Sequence, residues 1–372
     1  MKVLVTGGAG MIGSHIVDLL LREGYEVKIL DNLELPTHRN GMPDYIPKDA
    51  EFIKGDLTRK IDLVRALEGV AVIFHQSATG GFTPQVSKYV IANSLGTARL
   101  FEVIRDRNLS IQKIIVASSV AVYGEGTYLC PEHGIFYPTM RSIAQLEKRR
   151  WEVECPLCQR VSVPQPVKES KPVSPETVYS ITKYDQERLA LVLGKLYKIP
   201  TVALRYFVTY GPRQSIHNPY TGVCSIFATQ IANNKAPLLF EDGLQTRDFV
   251  FVEDVARANL LVMKEKKADF KVFNVGSGKA IAIREVAETL INKLNGDVQP
   301  LITNEFRPQD VRHIVADITD ISQLGYSPSV SFEQGIDRYL EWIERQGKVE
   351  DYFSAAKEDL KKAGIIRSPR WL

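Results

Sequence analysis

The chain has 372 residues, 44% of them hydrophobic and 24% charged, with a formal net charge of +3; that is the balance of a globular protein able to bury a sizeable core. Such a charge, with no basic block longer than Lys148–Arg150 (read as a solvated helix face), argues against a nucleic-acid partner. No apolar run approaches a membrane span, no charged-then-apolar leader opens MKVLVTGGAG, and four cysteines are too few for a disulfide framework, so the sequence reads as a reduced, cytoplasmic protein with no membrane partner.

Taken in order, apolar strands at 2–6, 26–30, 51–54, 71–75 and 113–118 alternate with amphipathic helical segments. In 14–22, Ile16, Leu19 and Leu20 share one face and Gly24 suits the stop. A helix at 179–197 and a strand at 201–207 continue the alternation, which implies parallel strands with right-handed crossovers: an α/β doubly wound sheet of the Rossmann kind. The stretch 125–175, rich in Pro, Cys and charge, reads as an insertion. Beyond about 210 the pattern becomes irregular, with loops at 211–222 and 241–248, a strand at 271–275, a helix at 284–294 and two polar-faced helices within 333–363. The expected organisation is a nucleotide-binding domain over 1–210, carrying the insertion, and a smaller, discontinuous α/β substrate lobe, mainly 211–372.

The segment VTGGAGMIGSH places Gly7, Gly10 and Gly13 between the first strand and the first helix. Gly7 permits a tight turn, Gly10 lets backbone approach a pyrophosphate, and Gly13 lets helix pack on strand. The helix start adds free N–H groups and a positive dipole end. The second strand ends in Asp31 and Asn32, where a carboxylate can accept both ribose hydroxyls and would repel the extra phosphate of NADP, so the cofactor expected is NAD. Asp56 and Leu57, after the third strand, could hold the adenine edge, although GDL also reads as an ordinary turn.

Two further segments carry chemistry. Ser118 and Ser119 end the fifth strand, and Tyr179-Ser-Ile-Thr-Lys183 opens a helix. A spacing of four puts the phenol and the ammonium one turn apart on one face. An ammonium beside a phenol, with the charge of oxidised nicotinamide, lowers the tyrosine from about 10 toward working pH and makes a general base. Alone, this spacing is a weak signal; with the glycine turn and the serine pair it is a strong one.

With these motifs assembled, the chain resembles the extended short-chain dehydrogenase/reductase family, in its NAD-dependent epimerase/dehydratase group typified by UDP-glucose 4-epimerase. The likeness runs over TGGAGMIGSH, Asp31-Asn32, GDL at 55–57, NSLGT at 93–97, ASSVAVYG, YSITK, RYF and YGPRQ within 205–214, TRDFVFVEDV at 246–255, NVGSG at 274–278 and RPQDV at 307–311. It implies Tyr179 as base, Lys183 as its partner and Ser119 as the catalytic hydroxyl. It assigns to the cofactor Met11, Ile12, Gln76, Ser77, Ala78, Asn93, Ser118 and Tyr206 beside the residues above. To the substrate it assigns Ser119, Tyr179, Val208, Arg213, Gln214, Arg247, Arg307 and Asp310, with Arg247 and Arg307 on the nucleotide diphosphate. It implies a homodimer through helices near 88–107 and 179–197. The activity implied is transient oxidation of a nucleotide-sugar and return of hydride to the other face, with NAD regenerated in each turnover.

Four departures qualify the resemblance. Val120 and Ala121 stand where the 4,6-dehydratase branch carries an Asp-Glu pair, so water elimination lacks its acid and base. Val208 replaces a usual Asn, and HQSATGG replaces a commoner Leu-Ala-Ala; His75 there reads first as a strand-end histidine with local hydrogen bonds. Ser119 and Tyr179 lie 60 residues apart, about twice the usual gap, and the added segment holds Cys130-Pro-Glu-His133 and Cys155-Pro-Leu-Cys158, separated by 21 residues. Two such knuckles supply the ligands of a closed, structural zinc site, Cys130, His133, Cys155 and Cys158, a reading favoured over free thiols or a redox pair. Cys224 lies in an apolar stretch and reads as core.

The function expected is epimerisation of a nucleotide-sugar, at carbon four. A keto-sugar reductase or dehydrogenase on the same scaffold is the nearest rival, ahead of a 4,6-dehydratase and of a non-catalytic NAD-binding regulator, which would have no need of a base.

Overall fold

A computed structural model describes residues 1–81, 85–218, 222–347 and 349–369. Its centre is a seven-stranded parallel sheet. The first five strands are β1 (Lys2–Thr6), β2 (Glu26–Asp31), β3 (Glu51–Lys54), β4 (Val72–His75) and β5 (Lys113–Ser119). The last two are Thr201–Tyr206 and Val272–Val275, and the order across the sheet is β3-β2-β1-β4-β5, then 201–206, then 272–275. The sequence-predicted strands fall within one residue of these limits.

The strands are apolar on both faces because helices cover both. In β1, Val3 and Val5 enter a core with Ile16 and Leu20 of α1 (Met11–Arg22) and with Val255 and Val262 of the helix Val252–Lys264. Leu4, pointing the other way, joins Leu63, Leu100 and Leu191 from the helices Lys60–Leu67, Gly96–Asp106 and Val178–Leu196. The strand 272–275 completes this sheet and the helix 252–264 covers it, so the large sheet unit draws on chain well past residue 210. A second core, built by the helices Val223–Ala232, Ile283–Lys293 and Phe332–Glu344 around Phe227, Phe251, Leu290 and Ile336, makes the smaller lobe.

The strand order reverses between β1 and β4, which opens the crevice where such folds bind ligands at the carboxyl ends of their strands. Register brings Thr6 beside both Leu30 and His75, and Ser119 beside Tyr206, so the strand ends line one edge. Among the described residues no helix is long and apolar enough to cross a membrane.

The segment following Tyr123 leaves this edge and returns through a closed neck. Ser174 N–H donates to Val122 O at 3.0 Å, and Gly124, at φ +66°, lies so near that an added Cβ would sit 2.4 Å from Ser174 O. Between these points runs a small antiparallel sheet of Thr127–Cys130, Gly134–Phe136 and Val163–Gln165, with a short helix at Ile143–Glu147. The insertion has an apolar anchor of its own: Leu146 and Trp151 are buried against Phe306 of the smaller lobe.

Candidate active site

The glycine turn is built to sequence demand. Gly7 has φ +67°, where a side chain is strained, and an added Cβ would meet Ser77 backbone at 2.8 Å. At Gly13 a Cβ would lie 2.2 Å from Gly7 O, so helix and turn close only with glycine there. At Gly10 the nearest atom would be 3.4 Å away. The turn itself therefore tolerates a Cβ at Gly10, and the space kept open in front of the helix start is room for an approaching phosphate. Met11 and Ile12 are half-buried in that first helical turn. The Asp31 carboxylate accepts from Ala9 N–H at 3.0 Å and Leu33 N–H at 2.9 Å, which fixes it at the mouth of β2 with lone pairs left for ribose hydroxyls. Asn32 donates to Asp56 Oδ2 at 3.2 Å, and Leu57 is buried below them in the core. These residues fit the adenosine half of NAD.

At the end of β5, the Ser119 hydroxyl lies beside the Tyr179 phenol and accepts from Ala121 N–H at 3.2 Å. Burial pushes the Tyr179 pKa up, and the Ser119 hydroxyl pulls it back. The lysine was expected to do that work, but Lys183 Nζ donates to Ala117 O at 2.6 Å and to Gln186 Oε1. Lys183 itself is buried, and desolvation brings its pKa down to about 7, against an opposing pull from Glu187.

Gln186 was not foreseen. Its amide nitrogen lies 2.9 Å from His75 Nε2 and 3.2 Å from Ser77 O, so one side chain ties Lys183 to the loop after β4. His75 Nδ1 pairs with Thr6 at 2.8 Å and Nε2 with Thr97 at 2.8 Å. Burial, then the Lys183 charge, drives its pKa down to about 3, so it is a neutral structural imidazole at working pH. Asn93 pins the same loop: it brackets Thr79 N–H and O at 2.8 and 3.1 Å and donates to Thr182 at 3.0 Å. Gln76 and Tyr206 bond each other at 2.9 Å, and Ala78 is exposed at the loop. The Ser118 hydroxyl is committed beneath the sheet, donating to Glu187 at 2.6 Å in a buried ion pair with Arg205, which leaves only its backbone to a ligand.

In the smaller lobe, Arg247 and Arg307 converge on the Asp310 carboxylate at 2.8 and 2.6 Å. Burial opposes ionisation of Asp310, but Arg307 and Arg247 together hold its pKa down at about 2. Arg213 and Gln214 lie elsewhere. Arg213, at φ +68°, pairs with Asp18 of α1 at 2.7 Å and covers the Tyr45 ring, while Gln214 packs under Gly222. Val208 is half-buried and pairs with Phe249 in a short parallel ribbon.

The four predicted metal ligands meet although two knuckles and a sheet separate them. Their ligand atoms all lie within 4.8 Å of one another. Cys130 Sγ is 3.6 Å from Cys158 Sγ and 3.5 Å from His133 Nδ1, and Cys155 Sγ is 3.5 Å from the same nitrogen. Cys224, by contrast, is buried alone in the smaller lobe's core.

Comparison with known proteins agrees with this geometry. The model of the NAD dependent epimerase/dehydratase family matches residues 3–139 and 159–276 and leaves out 140–158, inside the insertion. A dTDP-L-rhamnose 4-epimerase of Burkholderia thailandensis is 33% identical over 352 residues, 93% of this chain and 95% of that protein. The structure of a UDP-glucuronic acid 4-epimerase from Bacillus cereus, in complex with UDP-glucuronic acid and NAD, superposes with a TM-score of 0.76 at 27% identity, covering 93% of this chain and 100% of that one. A UDP-N-acetylglucosamine 4-epimerase from Methanobrevibacter ruminantium, in complex with UDP-N-acetylmuramic acid, does so with a TM-score of 0.75 at 30% identity, covering 93% and 98%.

Proposed function

We propose, from the premise that this chain belongs to the NAD dependent epimerase/dehydratase family and is an NAD-dependent nucleotide-sugar epimerase, that it inverts carbon four of its sugar with Tyr179 as the base and with the diphosphate held by Arg247 and Arg307. The observation that carries this reading is the meeting of Ser119, Tyr179 and Lys183 at the strand edge that also bears the glycine turn. NAD, when bound, supplies hydride acceptance and return at the sugar carbon. Tyr179 removes the proton of the sugar hydroxyl and later gives it back. Ser119, beside the phenol, shares that hydroxyl and orients it. Lys183, easily switched between charge states, relays charge to the phenol once turned toward it. Val120 and Ala121 beside Ser119 offer no acid or base, which disfavours elimination of water. Two guanidinium forks suit the two phosphates of a nucleoside diphosphate. Wild-type protein incubated with UDP-, dTDP-, GDP- and CDP-sugars should convert one to its C4 epimer by NMR, while Tyr179→Phe binds NAD and converts none. Accumulation of NADH without an epimer would favour the dehydrogenase instead.

The cysteine cluster supports structural zinc. A tetrahedral ion with Zn–S near 2.3 Å and Zn–N near 2.05 Å requires ligand edges of about 3.8 Å (S to S) and about 3.6 Å (S to N). Three of the six edges, at 3.6, 3.5 and 3.5 Å, match these lengths, and all four ligand atoms lie within 4.8 Å of one another. Four protein ligands leave no open position, so the ion would hold the fold and take no part in turnover. Thiolates in that role suit a reducing, cytoplasmic setting.

Homodimerisation is supported by an apolar face that spans two adjoining helical runs. Val90, Ile91 and Leu95 on the run 86–106, and Ile181, Val192 and Leu196 on 178–196, are exposed. Ser94 bonds Asp185 at 2.9 Å and keeps the two runs together. A patch of this kind marks an interface, and a two-fold pairing would bury both halves.

A further inference from the structure

The insertion does more than fill space beside the smaller lobe; it grips one short stretch of it. Residues 310–312 present two sides. Toward the nucleotide site they offer the Asp310 carboxylate, shared by Arg247 and Arg307, together with Val311 O and Arg312 O, both accepting from Arg247. From behind, the same three residues are held by the insertion. Arg141 donates to Asp310 O at 2.9 Å and forms a buried fork with Glu241 at 2.8 and 2.9 Å. Glu125 accepts from Arg312 N–H at 2.9 Å. Glu152 takes Arg312 Nε at 3.0 Å and His313 at 3.1 Å. Arg312 is wholly buried and is also paired with Asp242 at 2.7 Å. Glu152 stands three residues before Cys155 and follows Trp151, whose ring packs on Phe306, next to Arg307. The Cys130, His133, Cys155 and Cys158 cluster thus closes within three residues of the glutamate that holds Arg312.

We propose that Arg141 and Glu152 are positioning residues for Arg247 and Arg307, so that the insertion sets the affinity of the site for a nucleoside diphosphate and leaves the chemical step untouched. The proposal rests on the reading that Arg247 and Arg307 hold the diphosphate. Neither Arg141 nor Glu152 touches the substrate; each acts through the backbone and side chains of 310–312. Loss of the Glu152 charge frees one side of Arg312, lets 310–312 shift, and misaligns two forks whose bidentate geometry tolerates little error.

The test compares full-length Glu152→Gln and Arg141→Lys with wild type, using dTDP and UDP as probes in isothermal titration and following NAD binding and epimerisation in parallel. The dissociation constant for the preferred diphosphate and the KM should rise about 10-fold, the loss typical when a group orienting a ligand-binding side chain is removed. NAD affinity should be unchanged and kcat should stay within about twofold, the signature of lost uniform binding. Glu152→Asp, which keeps the charge, should recover most of the affinity, and Arg141→Lys carries the test should Glu152→Gln not fold. Arg247→Gln serves as the reference. If it leaves dTDP and UDP binding intact, the clamp itself is misassigned. If it weakens binding while Glu152→Gln and Arg141→Lys do not, or if those variants lower kcat or NAD affinity as much as nucleotide affinity, the positioning role is wrong.

Discussion

His75 should make this protein acid-labile in a way that one substitution removes. The imidazole is fully buried, and burial together with the Lys183 charge takes its pKa from the usual 6.5 to about 3. In the unfolded chain the same group titrates near 6.5, so between those values the unfolded state binds the proton and the folded state does not. The stability it contributes is therefore complete above about pH 6.5 and is lost as pH falls toward about 3. With those two pKa values, lowering the pH from about 7.5 to about 5 costs roughly 2 kcal/mol, rising toward ~5 kcal/mol at the acid limit. Urea unfolding at the two pH values, on wild type and on His75→Gln, isolates the effect. Carboxylates and Lys183 titrate in both proteins and cancel in the difference of differences. Wild type should lose about 2 kcal/mol more than the variant over this interval, whatever the variant's own stability. Equal losses would show that the buried ring is not held neutral, and the account of the Gln186 bridge would fall with it.

Gly13→Ala places a methyl 2.2 Å from Gly7 O; fluorescence titration should show NAD binding lost or weakened, with a stability cost of about 1–3 kcal/mol from overpacking. Replacing Cys155 and Cys158 together by Ser should abolish stoichiometric zinc in metal analysis of the purified protein and lower the Tm. Wild-type protein that carries no zinc would instead leave the cluster as free thiols. Ile91→Glu puts a carboxylate in the exposed apolar face; light scattering should register about half the wild-type mass, and an unchanged mass would move the interface elsewhere.

Much of the fold was legible because its signals are local. The parallel strands are short apolar runs and the helices between them carry one apolar face, so period alone separates β1 to β5 from their crossovers. The cysteine knuckles were legible for the same reason: each ligand pair is set by a spacing of three residues. What escaped was set by contacts between distant segments. Gln186 is one polar residue on a polar-faced helix until the fold brings His75 and Lys183 to either side of it. Arg312 carries no local signal, yet it is wholly buried, because Glu152, Glu241 and Asp242 arrive from two other segments. Lys183 was expected beside the phenol, since helical spacing fixes which face a side chain leaves from. It does not fix where a long, flexible amine ends, and here Ala117 O and Gln186 capture it. The first domain was expected to end near 210 because the regular alternation stops there; the sheet takes its last strand from 272–275, after an excursion no periodicity announces.

The neck at Val122 and Ser174 makes the insertion a detour that rejoins the main road where it left. A chain whose departure and return points already touch can be lengthened or shortened between them at little entropic cost, since each doubling of such a loop adds only about 0.6 kcal/mol. The serine and the tyrosine on either side are thereby insulated from whatever hangs between them. Segments of different length can hang from this neck while Ser119 and Tyr179 keep their places.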